Sequence, residues 1–225
     1  MSTMDSQTEK DVRTISDLVN VEDRSILELG CGDGRITFGL AERAREIVAI
    51  DIDAKVIEIA QRRDVHGNVT FLVEDMEDFD LGREFDVILS VGLGYMYLRD
   101  LPKAIKNVSR HLDAEGAALL ICGSPTDEYQ RIVDLLVEEN VRTVAFYSRF
   151  EENLSNHFAF EKKTLKGQLD FPDFEEALRC FRRELKEEYQ KDMSDRQGEK
   201  LRGFFQKQGR LTVERDSRAY ICRHL

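Results

Sequence analysis

Residues 25–53 read SILELGCGDGRITFGLAERAREIVAIDID, and this stretch decides the fold of the chain. An apolar run ends at Leu29 and is followed by glycines at positions 30, 32 and 34. Apolar residues at helical spacing come next, and a second apolar run ends on Asp51. This order predicts a strand, a glycine turn, a helix and a second strand, which together form half of a nucleotide-binding site. Glycine suits such a turn because it adopts positive φ freely and lets a ligand approach the backbone.

The class of ligand is indicated by two charged positions. A dinucleotide site reads G-x-G-x-x-G, and the position of its third glycine is occupied here by Arg35. Glu28, in the first strand, would repel a pyrophosphate and favours a nucleoside that carries positive charge. Asp51 is placed to bind the two hydroxyls of a ribose. An NAD-linked oxidoreductase is the alternative, and Arg35 counts against it.

Four motifs follow one another in order between about residues 12 and 125: E-L-G-C-G-D-G at 28–34, A-I-D-I-D at 49–53, V-E-D-M at 73–76 and F-D-V-I-L-S at 85–90. In these motifs the chain resembles the class I S-adenosylmethionine-dependent methyltransferases, and the stretch H-L-D-A-E-G at 111–116 is similar to the family's turn before its fifth strand. A single glycine motif is a weak signal, whereas ordered motifs at family spacing are a strong one.

The resemblance implies a cofactor, S-adenosyl-L-methionine, held across the carboxyl ends of the central strands. The glycine turn would lie against its methionine part and Asp51 would take the ribose hydroxyls. Ile52 would pack on the adenine ring, and Asp75 with Met76 would meet its amino edge. The full set of predicted cofactor-binding residues is Glu28, Gly30, Cys31, Gly32, Asp51, Ile52, Asp75, Met76 and Val91.

The methyl acceptor is expected to face the loop at 91–100, VGLGYMYLRD. This loop lacks the (N/D)-P-P-(Y/F) motif of family members that methylate exocyclic amines, so we predict a small-molecule acceptor. Tyr95 could polarise the nucleophile, and His157 is the histidine best placed to act as a base. A module that binds the cofactor without catalysis is an alternative from a different class. A packing role is the competing interpretation for Tyr95.

The charge and composition of the chain limit the kinds of partner that it is expected to bind. The net charge of −11, with acids and bases interleaved, argues against nucleic acid as substrate, although a nucleic-acid methyltransferase remains an alternative. No acid or histidine cluster has metal-ligand spacing, so no metal is predicted. No apolar run approaches the length of a membrane span, and the four scattered cysteines indicate a reducing compartment, so we expect a cytoplasmic protein. The oligomeric state stays open.

The predicted fold is α/β: a doubly wound, mostly parallel, Rossmann-like sheet with an antiparallel edge and a helical insertion. We expect a single methyltransferase domain over 1–225. Its predicted parts are a leading helix or lid (1–22), a cofactor-binding core (23–140), a strand pair plus helical substrate-side insertion (141–207) and C-terminal strands (208–225). Within residues 141–163 the alternation of apolar residues predicts two antiparallel strands, which compete with the C-terminal pair for the sheet edge. The eight aromatic residues between 146 and 181 are expected to serve mainly as packing.

Overall fold

The computed structural model of the chain describes residues 6–92, 98–137 and 144–225. These residues form two compact units. The first comprises Met1–Cys122, Phe150–Lys163 and Ala219–Leu225, and the second comprises Gly123–Arg149 and Thr164–Arg218. The predicted domain boundaries do not coincide with these units, and the single-domain organisation stays a prediction.

Strands and helices alternate through the first half of the chain, as the spacing of the apolar runs predicts. The elements are α1 (Ser6–Leu18), β1 (Ser25–Leu29), α2 (Arg35–Leu40), β2 (Glu46–Asp51), α3 (Ala54–Arg63), β3 (Val69–Val73), β4 (Phe85–Val91), α4 (Leu101–His111) and β5 (Leu112–Gly123). Every residue of β1 is buried, as expected for a central strand covered on both faces. Helix α4 begins where Asp100 accepts a hydrogen bond from the Lys103 amide (3.0 Å), an N-cap followed by Pro102 in the first turn.

The remaining elements are α5 (Glu128–Val137), α6 (Val144–Ser155), β6 (Phe158–Leu165), β7 (Gln168–Asp170), α7 (Phe174–Tyr189), α8 (Asp195–Gln208), β8 (Thr212–Glu214) and β9 (Ser217–His224). Seven strands form one sheet in the order β3-β2-β1-β4-β5-β9-β6, and β7 pairs with β8 in a second, antiparallel sheet. The pairs β1–β2, β1–β4, β2–β3 and β4–β5 are parallel. The predicted fold class is thereby confirmed.

Strand β9 supplies the antiparallel element of the large sheet. Its last residue, His224, places its Nε2 atom 3.0 Å from the carbonyl oxygen of Leu112, the first residue of β5. The ring of Phe158, at the start of β6, lies 5.7 Å from the His224 ring, and that of Phe160 lies 5.7 Å from that of Tyr220. Strand β9 therefore runs between β5 and β6 and against both of them. The sheet edge is completed by one strand from each of the two regions that were expected to compete.

The predicted strand pair within 141–163 is wrong in its first half, because Val144–Ser155 is helix α6. Tyr147, Phe150 and Leu154 are buried there, at spacings of three and four residues. That spacing places the three side chains on one face of a helix, whereas on a strand they would not share a face. Burial of that one face explains the helix. Positions 141–143 of the predicted pair lie outside the described residues.

The second unit is built by helix packing. Helices α5, α7 and α8 bury a shared apolar core around Phe181 and Leu185, on which Val213 of β8 also packs. Helix α8 begins with a capping box in which Ser194 and Gln197 satisfy each other's amides, and it ends at Gly209 in the left-handed conformation. The prediction that most aromatics of 146–181 are packing residues agrees with the burial of Tyr147, Phe150, Phe158 and Phe181. Among the helices the structure describes, none combines the length and apolarity needed to cross a membrane.

Candidate functional site

The glycine turn follows β1 and is attached to the carboxyl end of β2. The amides of Gly30 and Cys31 both donate to the carbonyl oxygen of Ile50, at 2.8 and 3.0 Å. Gly30, Gly32 and Gly34 all have positive φ (70°, 55° and 85°), which side chains other than glycine rarely adopt. The turn therefore presents bare backbone at the carboxyl edge of the parallel strands, where ligands bind in such sheets.

Asp51 holds this turn in place through its carboxylate. Its Oδ2 atom accepts a hydrogen bond from the Gly32 amide (2.9 Å), and its Oδ1 atom accepts one from the Asp53 amide (2.9 Å). Each carboxylate oxygen can accept about two hydrogen bonds, so both keep capacity for further donors such as a pair of hydroxyls. Asp53 has a different role: it is the N-cap of α3, accepting from the Lys55 amide at 2.8 Å.

Glu28 lies beneath the turn with only 3% of its surface exposed. The hydroxyl of Thr37, on α2, donates to Glu28 Oε2 at 2.6 Å. Burial raises the pKa of Glu28 to about 7, against the opposing effects of the Thr37 hydrogen bond and of Arg35. This carboxyl group can therefore change its charge near neutral pH, directly behind the backbone that would contact a cationic ligand.

The surroundings of Cys31 disfavour the thiolate form of its side chain. Burial raises the pKa of its thiol far above the ordinary value, and the nearby carboxylates of Glu28 and Asp51 raise it further. The thiolate is the reactive form of cysteine, so a thiol held protonated is inert. Its small side chain is buried in the turn.

A second part of the site lies beside Asp51, where β2 and β3 end together. Asp51 pairs in register with Val73, and the Glu74 amide donates to the Asp51 carbonyl oxygen at 3.0 Å. Ile52 and the segment that begins at Glu74 therefore leave the sheet side by side. Ile52 is 68% exposed, an unusually open position for a large apolar side chain at such an edge. A flat apolar ring would find a packing surface there.

Asp75 and Met76 form the far end of this surface. Asp75 Oδ1 accepts from the Glu77 amide at 2.9 Å, and Oδ2 accepts from the Arg99 guanidinium at 2.7 Å. The Met76 side chain is buried. The side-chain amide of Asn107 in α4 lies 3.5 Å from the Met76 carbonyl oxygen and supports the segment from below. The structure thus brings the predicted adenine-side residues to the same edge as Asp51.

Val91 ends β4 at the same edge. Leu89 of β4 is in register with Glu28 of β1, and β4 continues past this pair for two residues to Val91. The Gly92 amide then donates to the carbonyl oxygen of Ile121 in β5 (2.9 Å). Residues 93–97, which include the predicted catalytic residue Tyr95, lie outside the described residues. The role of Tyr95 stays a prediction.

His157 is not part of this arrangement, and the prediction that it acts as a base there is corrected. It immediately precedes β6, whose first residue packs on His224, and His224 contacts Leu112 at the start of β5. His157 therefore lies at the amino ends of the parallel strands, the edge opposite to the glycine turn. The sequence-based assignment assumed that 141–163 formed a strand pair beside the substrate, and helix α6 with β6 turns this residue to the other edge.

Three residues with a part in the site were missed from the sequence: Thr37, Glu77 and Arg99. Thr37 reaches Glu28 only because α2 folds back over β1, and no motif marks it. Arg99 lies within the loop at 91–100, but its partner Asp75 is 24 residues away. In the described part of the chain, no three His, Cys, Asp or Glu side chains are grouped so that they could hold a metal ion.

Known proteins with a similar sequence or fold agree with this geometry. Residues 26–116 match the family model described as "Methyltransferase domain". The chain is 38% identical over 96 residues to malonyl-[acyl-carrier protein] O-methyltransferase of Bacillus cereus, a match that covers 42% of this chain and 35% of that protein. It is 34% identical over 89 residues to magnesium-protoporphyrin O-methyltransferase of Rhodobacter capsulatus, covering 38% and 39% respectively. Each match thus spans well under half of the curated relative.

The fold extends beyond these segments. The crystal structure of the YcgJ protein from Bacillus subtilis superposes with a TM-score of 0.68, covering 96% of this chain and 99% of that one at 16% identity. Such a likeness shows the shared fold. The match of residues 26–116 to the methyltransferase-domain family model agrees with the resemblance that the sequence motifs carry.

Proposed function

We propose that this chain is an S-adenosylmethionine-dependent methyltransferase that transfers a methyl group to a small-molecule acceptor. The observation that carries the proposal is Asp51 at the carboxyl edge of the sheet. Its carboxylate accepts from the Gly32 amide of the glycine turn and from the Asp53 amide, and its backbone carbonyl accepts from the Glu74 amide, beside Asp75. The family match over residues 26–116 supports the same cofactor. Because the curated relatives are matched over less than half their length, the activity and the acceptor belong to the proposal.

The residues fit the cofactor part by part. The backbone of Gly30 and Gly32 would face the methionine portion, and Asp51 would accept from the ribose hydroxyls. Ile52 would pack on the adenine face, with Asp75 and the Met76 backbone at its polar edge. Cys31 and Val91 would complete the wall of the site. Glu28, buried beneath the turn, would add negative charge behind a ligand that carries a positive one.

The chemistry needs little more than positioning. S-adenosylmethionine supplies an activated methyl group, whose transfer breaks the carbon–sulfur bond of a sulfonium and leaves a neutral thioether. Holding the acceptor in line with that bond can supply much of the rate. An acceptor hydroxyl would also have to lose a proton to a base, and Tyr95 is the remaining candidate to polarise the nucleophile. The two relatives described above are both named for transfer to oxygen.

A two-part experiment tests the proposal. In the first part, S-adenosylhomocysteine and NADH are compared for their effect on the melting temperature of the purified chain, because a ligand that binds the folded state raises it. We expect stabilisation by S-adenosylhomocysteine alone. Stabilisation by NADH alone would contradict the methyltransferase interpretation and favour an oxidoreductase.

The second part asks whether a methyl group moves. The chain is incubated with methyl-labelled S-adenosylmethionine and either a fractionated extract of small metabolites or total RNA. We expect label in a metabolite fraction, and the Asp51→Ala variant is the negative control. Binding without transfer to any fraction would favour a cofactor-binding module, and transfer only to RNA would favour a nucleic-acid methyltransferase.

The location of the protein is part of the same proposal. We propose that it acts in the cytoplasm, which is supported by four cysteines that are present as thiols and not as disulfides in the structure. Cell fractionation followed by detection of the chain is the direct test, and recovery outside the cytoplasmic fraction would contradict it.

A further inference from the structure

The loop between β3 and β4 is strongly acidic, and two basic residues at the start of α4 face it. Residues 74–80 read EDMEDFD, in which five of seven residues are acids. Lys103 Nζ lies 2.5 Å from Asp78 Oδ1, on the exposed side of the loop. Arg99 lies at the other end, with one guanidinium nitrogen 2.7 Å from Asp75 Oδ2 and Nε 3.6 Å from Glu77 Oε2. Of the two cations, only Arg99 contacts a residue at the candidate adenine edge.

Glu77 determines where the backbone of Arg99 lies. Its side chain is 9% exposed, and its two carboxylate oxygens accept from the amides of Arg99 (2.7 Å) and Asp100 (3.2 Å). These amides directly precede α4, where the partial positive charge of the helix N-terminus favours a carboxylate. The Arg99 backbone is therefore fixed by a buried acid, which leaves its guanidinium directed at Asp75.

The two hydrogen bonds of Asp75 set the orientation of its carboxylate. Oδ1 is held by the Glu77 amide within the same loop, and Oδ2 is held by Arg99 from the neighbouring segment. Without Arg99, the carboxylate would keep only the local bond and could rotate about its side-chain torsions. Each oxygen still has capacity for one more donor. An amino group can use that capacity, whereas a carbonyl oxygen in the same place would be repelled.

The contribution of this ion pair to overall stability is small, because the Arg99 side chain is 79% exposed and solvent screens the interaction. An exposed pair that orients a carboxylate at a ligand edge affects recognition more than folding. The effect of removing Arg99 is therefore expected in ligand selectivity, with the melting temperature nearly unchanged.

We propose that Arg99 is a positioning residue for base selectivity: it holds the Asp75 carboxylate in the orientation that accepts the exocyclic amino group of adenine. The inference rests on the proposed function, since it concerns the same cofactor site. It adds a residue outside the motifs and assigns it an effect that can be measured apart from methyl transfer.

The test compares two ligands that differ at one position of the base. S-adenosylhomocysteine carries the amino group, and S-inosylhomocysteine carries a carbonyl oxygen in its place. Dissociation constants for both are measured by calorimetry with the purified full chain and with the variants Arg99→Ala, Arg99→Lys and Arg62→Ala. Arg62 is a matched control, because it is also exposed (72%) and pairs with an acid, Glu58, on α3.

We expect the wild-type chain to prefer the adenosine ligand by about tenfold or more, since a hydrogen bond to a charged group is worth about 1.5–3 kcal/mol. Arg99→Ala should reduce that preference by about fivefold through weaker binding of the adenosine ligand, and Arg99→Lys should restore part of it. Arg62→Ala should behave as wild type.

Two results would overturn the inference in different ways. Unchanged selectivity in Arg99→Ala would show that Asp75 needs no support from Arg99, and tighter adenosine binding would show that Arg99 competes with the base. Both leave the proposed function intact. If the wild-type chain bound neither ligand, the proposed function would fail, and with it the basis for this role of Arg99.

Discussion

The carboxyl edge of the large sheet and the helical core of the second unit are stabilised in different ways. At the sheet edge, backbone amides bind carbonyl and carboxylate oxygens of adjacent strand ends, as when Gly30 and Cys31 both donate to Ile50. In the second unit, α5, α7 and α8 are joined by apolar packing around Phe181. The edge tolerates few residue types at each position, whereas a packed core mainly requires apolar side chains of suitable volume. Motifs are therefore concentrated at the edge.

Carboxylates accept backbone hydrogen bonds in both regions, but they have different roles. In the second unit, Glu128 is 4% exposed and accepts from the Glu214 amide at 3.0 Å and from Arg210 at 3.2 Å, which joins α5 to β8. Asp127 accepts from the Asp216 amide at 2.7 Å, and burial raises its pKa. These acids satisfy backbone groups of the fold. Asp51, in contrast, keeps acceptor capacity at an open edge, so burial of an acid alone does not identify a binding site.

The largest effect on the free energy of unfolding is expected from a change in the core of the second unit, and it should leave ligand binding at the sheet edge unchanged. Phe181→Ala should lower the free energy of unfolding by about 3–5 kcal/mol, because the side chain is fully buried and leaves a cavity. The affinity for S-adenosylhomocysteine should stay near the wild-type value where the variant is folded. Urea denaturation and calorimetry measure the two quantities, with the exposed neighbour Arg183→Ala as control. Loss of binding by a folded Phe181→Ala protein would contradict the separation.

At the sheet edge we expect the reverse, a change that weakens ligand binding more than it lowers stability. Asp51→Ala should weaken S-adenosylhomocysteine binding by about 100-fold, or about 3 kcal/mol, since it removes a charged acceptor and releases the Gly32 amide. Asp53→Ala is the matched control, because it removes only the cap of α3 and should cost about 1 kcal/mol of stability. Equal affinity losses in the two variants would mean that Asp51 acts only by organising the loop.

A pH-dependent effect is expected from the acid beneath the turn. The pKa of Glu28 rises from 4.5 to about 7 on folding, so the folded state binds more protons than the unfolded state between those values. The free energy of unfolding should therefore fall as pH rises through this window. Between pH 5 and 8 the wild type should lose about 2 kcal/mol more than Glu28→Gln, measured by urea denaturation at each pH. Parallel pH profiles for the two proteins would contradict the buried titration.

The smallest effects come from one methyl group added in each region. Gly34 has a φ of 85°, and a Cβ there would lie 2.8 Å from the Phe38 ring, so Gly34→Ala should destabilise the chain by about 1–2 kcal/mol. Gly203 lies exposed within α8 with no atom within 4 Å of such a Cβ, so Gly203→Ala should stabilise by up to about 1 kcal/mol. Thermal denaturation of both variants measures the opposite signs. A stabilising Gly34→Ala would show that the turn can relax.

Strands β1 and β2 end at Leu29 and Asp51, where the two apolar runs of the sequence end. They are short apolar runs bounded by turn residues, which makes the local signal strong. Helix α6 was missed because Val141, Thr143 and Phe146 suggested alternation, while Tyr147, Phe150 and Leu154 carried the helical period. The place of β9 between β5 and β6 was also not predictable, since it depends on pairing between segments roughly a hundred residues apart along the chain.

The residues of the candidate site also divide into those that the sequence predicted and those that it did not. Asp51, Ile52, Asp75 and Met76 were predicted as site residues because each lies at or just after the end of a strand. Thr37 and Arg99 were missed because their partners belong to other elements. His157 was misplaced because its position depends on the direction of β6.

The sequence by itself determined the glycine turn and the acid at the end of β2, since these depend on φ angles and strand ends within a few residues. The class of cofactor is what the resemblance of the motifs to a known family implies. Only the tertiary structure decided that Glu28 is buried against Thr37, that Arg99 faces Asp75 and that His157 lies at the opposite edge. Those facts arise from how helices cover the sheet and in which order distant strands pair. Local backbone preferences are encoded residue by residue, whereas burial and pairing are properties of the whole packed chain.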